Sequence, residues 1–103
     1  MSRNEIINDK EFLEEAKIEV DVTWSDDDTE KKISGYIEEG VEVLQNDVDT
    51  SINFYEDSEA KALLKTYIRY AWNKSEEYFI QNNVERILKL EVKYGKAQLR
   101  KSE

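Results

Sequence analysis

The chain has 103 residues, enough for one domain with a thin stability margin, and a net charge of −9. It has no His, no Cys and no Pro, and only three glycines, which removes disulfides, thiolate zinc sites, the commonest general base and phosphate-cradling glycine loops. No apolar run approaches the ~20 residues of a membrane span, acids from Glu5 onward break any signal-peptide pattern, and the aromatic content argues against disorder. An intracellular or virion context fits this composition.

A first helix is predicted over residues 9–19. Asn8-Asp9-Lys10-Glu11 has the form of a capping box with Asn8 at the N-cap, and Phe12, Leu13 and Ala16 share a face that Val20 continues. From Ile18 to Trp24 apolar and polar residues alternate as in a strand. A lone short strand has no partner here, so this stretch reads as a helix end and an extended, mobile connector. A second helix is predicted over 27–46, capped by Ser25 or Asp26, with Asp26, Asp27, Asp28 and Glu30 at its positive end. Ile33, Tyr36, Ile37, Gly40, Val41 and Leu44 form one helical stripe. Gly40 lies in that stripe, where it would let another helix approach closely; Gly35 lies off it, where it would mark a second contact surface.

Residues 47–57 read as a loop pinned to the core by Ile52, Phe54 and Tyr55. A third helix is predicted over 58–72 on the stripe Ala60, Leu63, Leu64, Tyr67, Ile68, Ala71 and Trp72, with Lys61, Lys65 and Arg69 as a basic row four apart on another face. Asn73-Lys74-Ser75-Glu76 repeats the capping-box form, either ending one helix and starting another or sitting inside one bent helix. The fourth helical segment is predicted over 75–94, with Phe79, Ile80, Val84, Ile87, Leu88 and Leu90 as a broad apolar face and Gly95 as the stop. A basic tail, 95–103, follows. The expected fold is all-α: a single domain, 1–103, built as a small bundle of three to four helices.

Charge is unevenly placed. Residues 1–59 hold 19 acids and 5 bases; residues 60–103 hold 5 acids and 10 bases. Two readings stand: solvated helix faces of unequal sign, or copies stacked head to tail, acidic half against basic half. The run Asp26-Asp27-Asp28 lacks the glycine and alternation of a calcium loop and reads as a helix N-terminal cluster. Neighbouring acids such as Glu14/Glu15, Glu38/Glu39 and Glu76/Glu77 point in different directions on a helix and read as solvated surface, so no active site, metal site or cofactor is expected. Trp24, Tyr70, Trp72 and Tyr78, with Lys65, Arg69, Lys74 and Arg86, resemble the ingredients of a single-strand binder, but the stripe places Trp72 in the core and the chain is acidic. Lys93, Lys96, Arg100 and Lys101 read equally as a frayed helix end or as a segment that docks on an acidic partner.

Several segments together resemble the head–tail connector (adaptor) proteins of tailed bacteriophages. They are Phe12-Leu13-Glu14-Glu15-Ala16-Lys17-Ile18 with Val22-Thr23-Trp24-Ser25-Asp26-Asp27-Asp28-Thr29; Ile33-Ser34-Gly35-Tyr36-Ile37-Glu38-Glu39-Gly40 to Leu44; and Ala62 through Asn73 with Glu77-Tyr78-Phe79, Asn82-Asn83 and Ile87-Leu88-Lys89-Leu90. Each is an ordinary amphipathic pattern; their joint order and spacing over nearly the whole chain carry the resemblance. One departure is the absence of the glycine that many relatives have in the loop near Asp49.

The resemblance implies a non-enzymatic virion protein, present in the host cytoplasm during assembly. It would form a ring, commonly dodecameric, beneath the portal protein and join the DNA-filled head to the tail. Such a ring extends the DNA channel without binding DNA specifically and meets a stopper or head-closure protein. The expected portal or neck contacts are Lys93, Lys96, Leu99, Arg100 and Lys101, with Trp24, Asp26, Asp27 and Asp28 as a second surface and Lys61, Lys65 and Arg69 as subunit contacts. The alternatives are a nucleic-acid-associated regulator using the basic C-terminal half, and an acidic helical inhibitor of a host protein.

Overall fold

A computed structural model describes residues 6–95. Five α-helices and one 3₁₀ turn are defined among the described residues: α1 (Lys10–Glu19), α2 (Asp27–Asp47), α3 (Ser58–Trp72), the turn Glu76–Tyr78, α4 (Phe79–Asn82) and α5 (Val84–Lys93). There is no strand among the described residues. The domain is an all-helical bundle with principal extents of 50 × 28 × 17 Å.

Helix α3 is the hub. Its buried residues, Ala60, Leu63, Leu64, Thr66, Tyr67, Ile68 and Ala71, cover a wide arc, as a helix with neighbours on several sides requires. Helix α2 runs antiparallel to it, with Gly40 against Leu64 and Tyr67 and Lys32 over the Trp72 ring at 5.6 Å. Helix α1 runs parallel to α3, since Glu15 reaches Lys61 and Lys65 while Glu19 reaches Arg69. Helix α5 returns antiparallel, with Arg86 on Thr66 and Lys93 on Asp57. The close approach expected at Gly40 is present: a Cβ there would lie 2.6 Å from Leu64 Cδ1 and 2.9 Å from Tyr67 Cδ2. At Gly35 a Cβ would meet nothing within 4 Å, so that glycine faces an open groove.

The helix ends follow from local chemistry. The N-cap of α1 is Asp9, not Asn8: the Asp9 carboxylate accepts the amides of Glu11 and Phe12, which leaves Lys10 as the first helical residue. Asp26 caps α2 through the Thr29 amide, and Asp57 caps α3 through Glu59 and Ala60. Helix α1 ends with Asp21 at φ 64, the Val22 amide donating to the Lys17 carbonyl and the Asp21 amide to that of Ile18. Helix α3 ends the same way, with Lys74 at φ 58, Ser75 N–H on Tyr70 O and Lys74 N–H on Ala71 O. Both are Schellman closures with a non-glycine residue in the left-handed position. Gly95, at φ 76, fills that position after α5, as its spacing predicts.

The single fourth helix predicted over 75–94 is instead three pieces. Lys74 separates it from α3, so the two are not continuous. Ser75 makes no cap; its hydroxyl turns back to the Tyr70 carbonyl. Asn83 then breaks the segment at φ −125, buried, with its side-chain amide on the Phe79 carbonyl. Phe79, Ile87 and Leu90 are buried, while Ile80, Val84 and Leu88 face solvent. Trp72, expected in the core, is half-buried.

The connector between α1 and α2, expected to be mobile, is tied at several points. Val20 and Val22 are buried, and the Lys17 ammonium reaches Ser25 Oγ at 3.0 Å. In the 47–57 loop Ile52 and Phe54 are buried as expected, whereas Tyr55 is 38% exposed and pins the loop through its hydroxyl, which donates to Asp9 at 2.7 Å. The tail residues Lys96, Leu99, Arg100 and Lys101 lie outside the described residues.

Two glycine substitutions separate close packing from intrinsic propensity. Gly40→Ala should destabilise the fold by about 1–3 kcal/mol, because the Tyr67 ring it meets is itself held edge-on against Phe79 at 5.1 Å. Gly35→Ala, in open space on the same helix, should stabilise it by about 0.5–1 kcal/mol. Urea unfolding of both variants, followed by circular dichroism, gives the two signs; equal effects would contradict the packing at Gly40.

Candidate interaction surfaces

The bundle brings unlike chemistry to its two ends. At one end the close of α1, the start of α2 and the close of α3 meet, and Trp24 stands there 50% exposed. Its indole N–H donates to Thr29 Oγ1 at 3.3 Å, and that hydroxyl donates to Asp26 at 2.9 Å. The Thr29 amide and hydroxyl hold the Asp26 carboxyl below its usual range. Trp24 is thus fixed by its edge with its face free. Asp27 and Asp28 are exposed in the first turn of α2, where the helix dipole favours them. Beneath this corner lies Lys17, only 4% exposed, with Glu30 at 3.2 Å and Glu14 at 3.6 Å. The sequence gives no sign that this lysine is a buried strut, because its spacing matches that of any surface lysine.

At the opposite end α2 closes, α3 begins and the chain leaves α5. Asp57 organises this end. Its carboxylate caps α3, accepts the Tyr94 hydroxyl at 2.8 Å and pairs with Lys93 at 3.2 Å. Burial acts to raise the Asp57 carboxyl, but the Ala60 amide, the Tyr94 hydroxyl and the Lys93 ammonium outweigh it and hold it below its usual range. Lys93 also reaches Glu59 at 3.3 Å. This residue, expected to dock a partner, is engaged within its own chain.

The basic row of α3 is likewise taken up internally. Lys65 meets Glu15 at 2.8 Å, Lys61 meets the same carboxylate at 3.4 Å, and Arg69 meets Glu19 at 2.8 Å. The row lies beside Glu15 and Glu19 of α1 and ties the two helices together. Such pairs, partly exposed, contribute up to about 1 kcal/mol each.

Two further surfaces are exposed. The outer face of α2 presents Glu38, Glu39, Glu42 and Asp47, all exposed. Within reach of it, burial and then Glu39 push the Tyr67 hydroxyl up to about 12, so Tyr67 remains a donor to Glu39 at 3.2 Å. The second surface is apolar. Tyr78 (47% exposed), Ile80 (41%), Val84 (56%) and Leu88 (38%) line the outer side of the C-terminal segment. Ile80, Val84 and Leu88 belong to the broad apolar face expected of the fourth helix, of which only Phe79, Ile87 and Leu90 pack inward.

The clefts between these elements are shallow. A groove of about 410 Å³ runs along Ile7, Asn8, Ser34, Gly35 and Glu38, and none converges catalytic side chains. Among the described residues no group of three or more acids could hold a metal ion, and no helix is long and apolar enough to cross a membrane. Compared with family models, curated proteins and solved structures, the chain matches none.

The Asp57 hub gives a stability prediction with a sign. Its folded-state pKa is depressed, so its contribution is present above the unfolded value of about 3.9 and is lost as pH falls through the lower folded value. Asp57→Ala should cost about 2 kcal/mol at pH 7, by removing a cap and leaving the Tyr94 hydroxyl without its acceptor. The cost should shrink below about pH 4, where the native carboxylate itself protonates. Denaturation of wild type and variant between pH 2 and pH 7 measures this; a pH-independent difference would contradict it.

Proposed function

We propose that this chain is a structural, non-enzymatic subunit of the neck of a tailed bacteriophage or prophage particle. In this reading it forms a ring beneath the portal and joins the head to the tail. The observation that carries the proposal is the joint order and spacing of the helical segments that resemble the head–tail connector family, from Phe12 to Leu90. The unlike ends of the bundle support it, because a subunit set between two different neighbours needs two different docking surfaces. The fixed, exposed face of Trp24 with Asp26, Asp27 and Asp28 serves one neighbour. The basic residues Lys96, Arg100 and Lys101, which follow α5 in the sequence, serve the portal. The acidic outer face of α2 suits a channel wall, since like charge keeps DNA phosphates from adhering. In this scheme Lys61, Lys65 and Arg69 hold the subunit together, not the ring.

A nucleic-acid regulator would need a free basic face, and the bases of α3 are neutralised by Glu15 and Glu19. The acidic α2 face also suits a protein that occupies a basic groove on a host partner, which would give a tight complex with that partner and no ring.

Particles assembled without this protein should contain DNA-filled heads and separate, unattached tails in negative-stain micrographs. Normal joined particles from the deletion would overturn the proposal. Reversal of Glu38 and Asp47 to lysine, which leaves Glu39 on the Tyr67 hydroxyl, should leave folding intact, since both are exposed, and slow DNA release from the particle. Unchanged release would remove these residues from the channel wall.

A further inference from the structure

The C-terminal segment is apolar on two sides. Its inner side, Phe79, Ile87 and Leu90, seals against α3, and its outer side leaves Ile80, Val84 and Leu88 in water. Among the described residues, four of the seven large exposed hydrophobic side chains fall between Tyr78 and Leu88, an enrichment that marks a contact surface and not scattered exposure. Within α5, Val84, Leu88 and the half-buried Val92 follow one another four apart, so they form a single line along the helix.

We propose that a second copy of this chain covers this line, α5 against α5 in antiparallel. The charges beside the line select that occupant. At ~100° per residue, Glu85 and Lys89 lie on the same flank, one turn apart, and both are exposed. Neither makes a salt bridge within the described residues, unlike Lys93 one turn further on. In an antiparallel helix pair, each flank faces the same flank of the other helix. Glu85 therefore meets Lys89 of the partner subunit, and Lys89 meets Glu85 of the partner subunit. A two-fold contact repeats each favourable pair, and the surface is complementary to itself. A parallel arrangement would not give this reciprocity. The line is short of the ~800 Å² per partner typical of a stable complex, so the pair is weak, with a Kd of about 100 μM. The inference stands on the exposed line and its flanking charges and does not depend on the proposed neck role.

Analytical ultracentrifugation of the full chain, from about 10 μM to about 1 mM, should show a monomer–dimer equilibrium. Glu85→Lys alone and Lys89→Glu alone should each weaken association about tenfold, because each places like charges opposite one another twice. The double reversal, Glu85→Lys with Lys89→Glu, should restore it to near the wild-type value. Leu88→Ser should also weaken it while the circular dichroism spectrum stays unchanged. A monomer at every concentration overturns the proposal, as does association that ignores Leu88→Ser. Failure of the double reversal to restore what the single reversals lose overturns the antiparallel register. If the line instead takes a different protein, the isolated chain stays monomeric, and that result counts against the proposal in the same way.

Discussion

The approach of α2 to α3 at Gly40 is the constraint from which the other contacts follow. With no Cβ at that position, the backbone of α2 lies close against Leu64 and Tyr67. Tyr67 is thereby turned so that its ring meets Phe79 edge-on at 5.1 Å while its hydroxyl reaches Glu39. Phe79 also takes the edge of Tyr70 at 5.8 Å, and this aromatic group is what seats the C-terminal segment on the hub helix. A side chain at position 40 would press on the Tyr67 ring, which itself packs on Phe79. One small residue in the second helix therefore bears on the group that seats the last one.

The charge polarity of the chain looks different once folded. An acidic first part and a basic second part suggest partners for each, and a large share of that complementarity is satisfied inside one subunit. Glu15 and Glu19 take the α3 row, and Asp57 and Glu59 take Lys93. These pairs are partly exposed, so their contribution to stability is modest. What remains for partners is smaller and more specific: the outer acids of α2, the Trp24 corner and the apolar line on α5.

Helix positions were legible in the sequence wherever an apolar stripe ran unbroken. The stripes Ile33–Leu44 and Ala60–Ala71 are the core of the bundle, and the role of Gly40 followed from its place in the first of them. Capping was legible in kind but off by one residue at α1, because Asn8 and Asp9 are both good caps and only tertiary structure, with Tyr55 on Asp9, favours the second. The C-terminal segment was misread. At ~100° per residue Phe79, Ile87 and Leu90 fall on one arc and Ile80, Val84 and Leu88 on the next, so the broad apolar face was two faces of which only the first packs inward, and nothing in that pattern reveals a buried asparagine that turns its amide onto the Phe79 carbonyl. The fate of the basic residues was illegible for a different reason: ion pairs such as Arg69–Glu19 join residues far apart in sequence, so a basic row seen alone resembles a binding surface.

We propose that this helical unit sits between head and tail, with one end toward each. Electron microscopy of particles carrying a label on this chain tests it most directly. The account predicts label confined to the neck, in a ring beneath the portal vertex. Label on the capsid shell, along the tail or absent from the particle would contradict it.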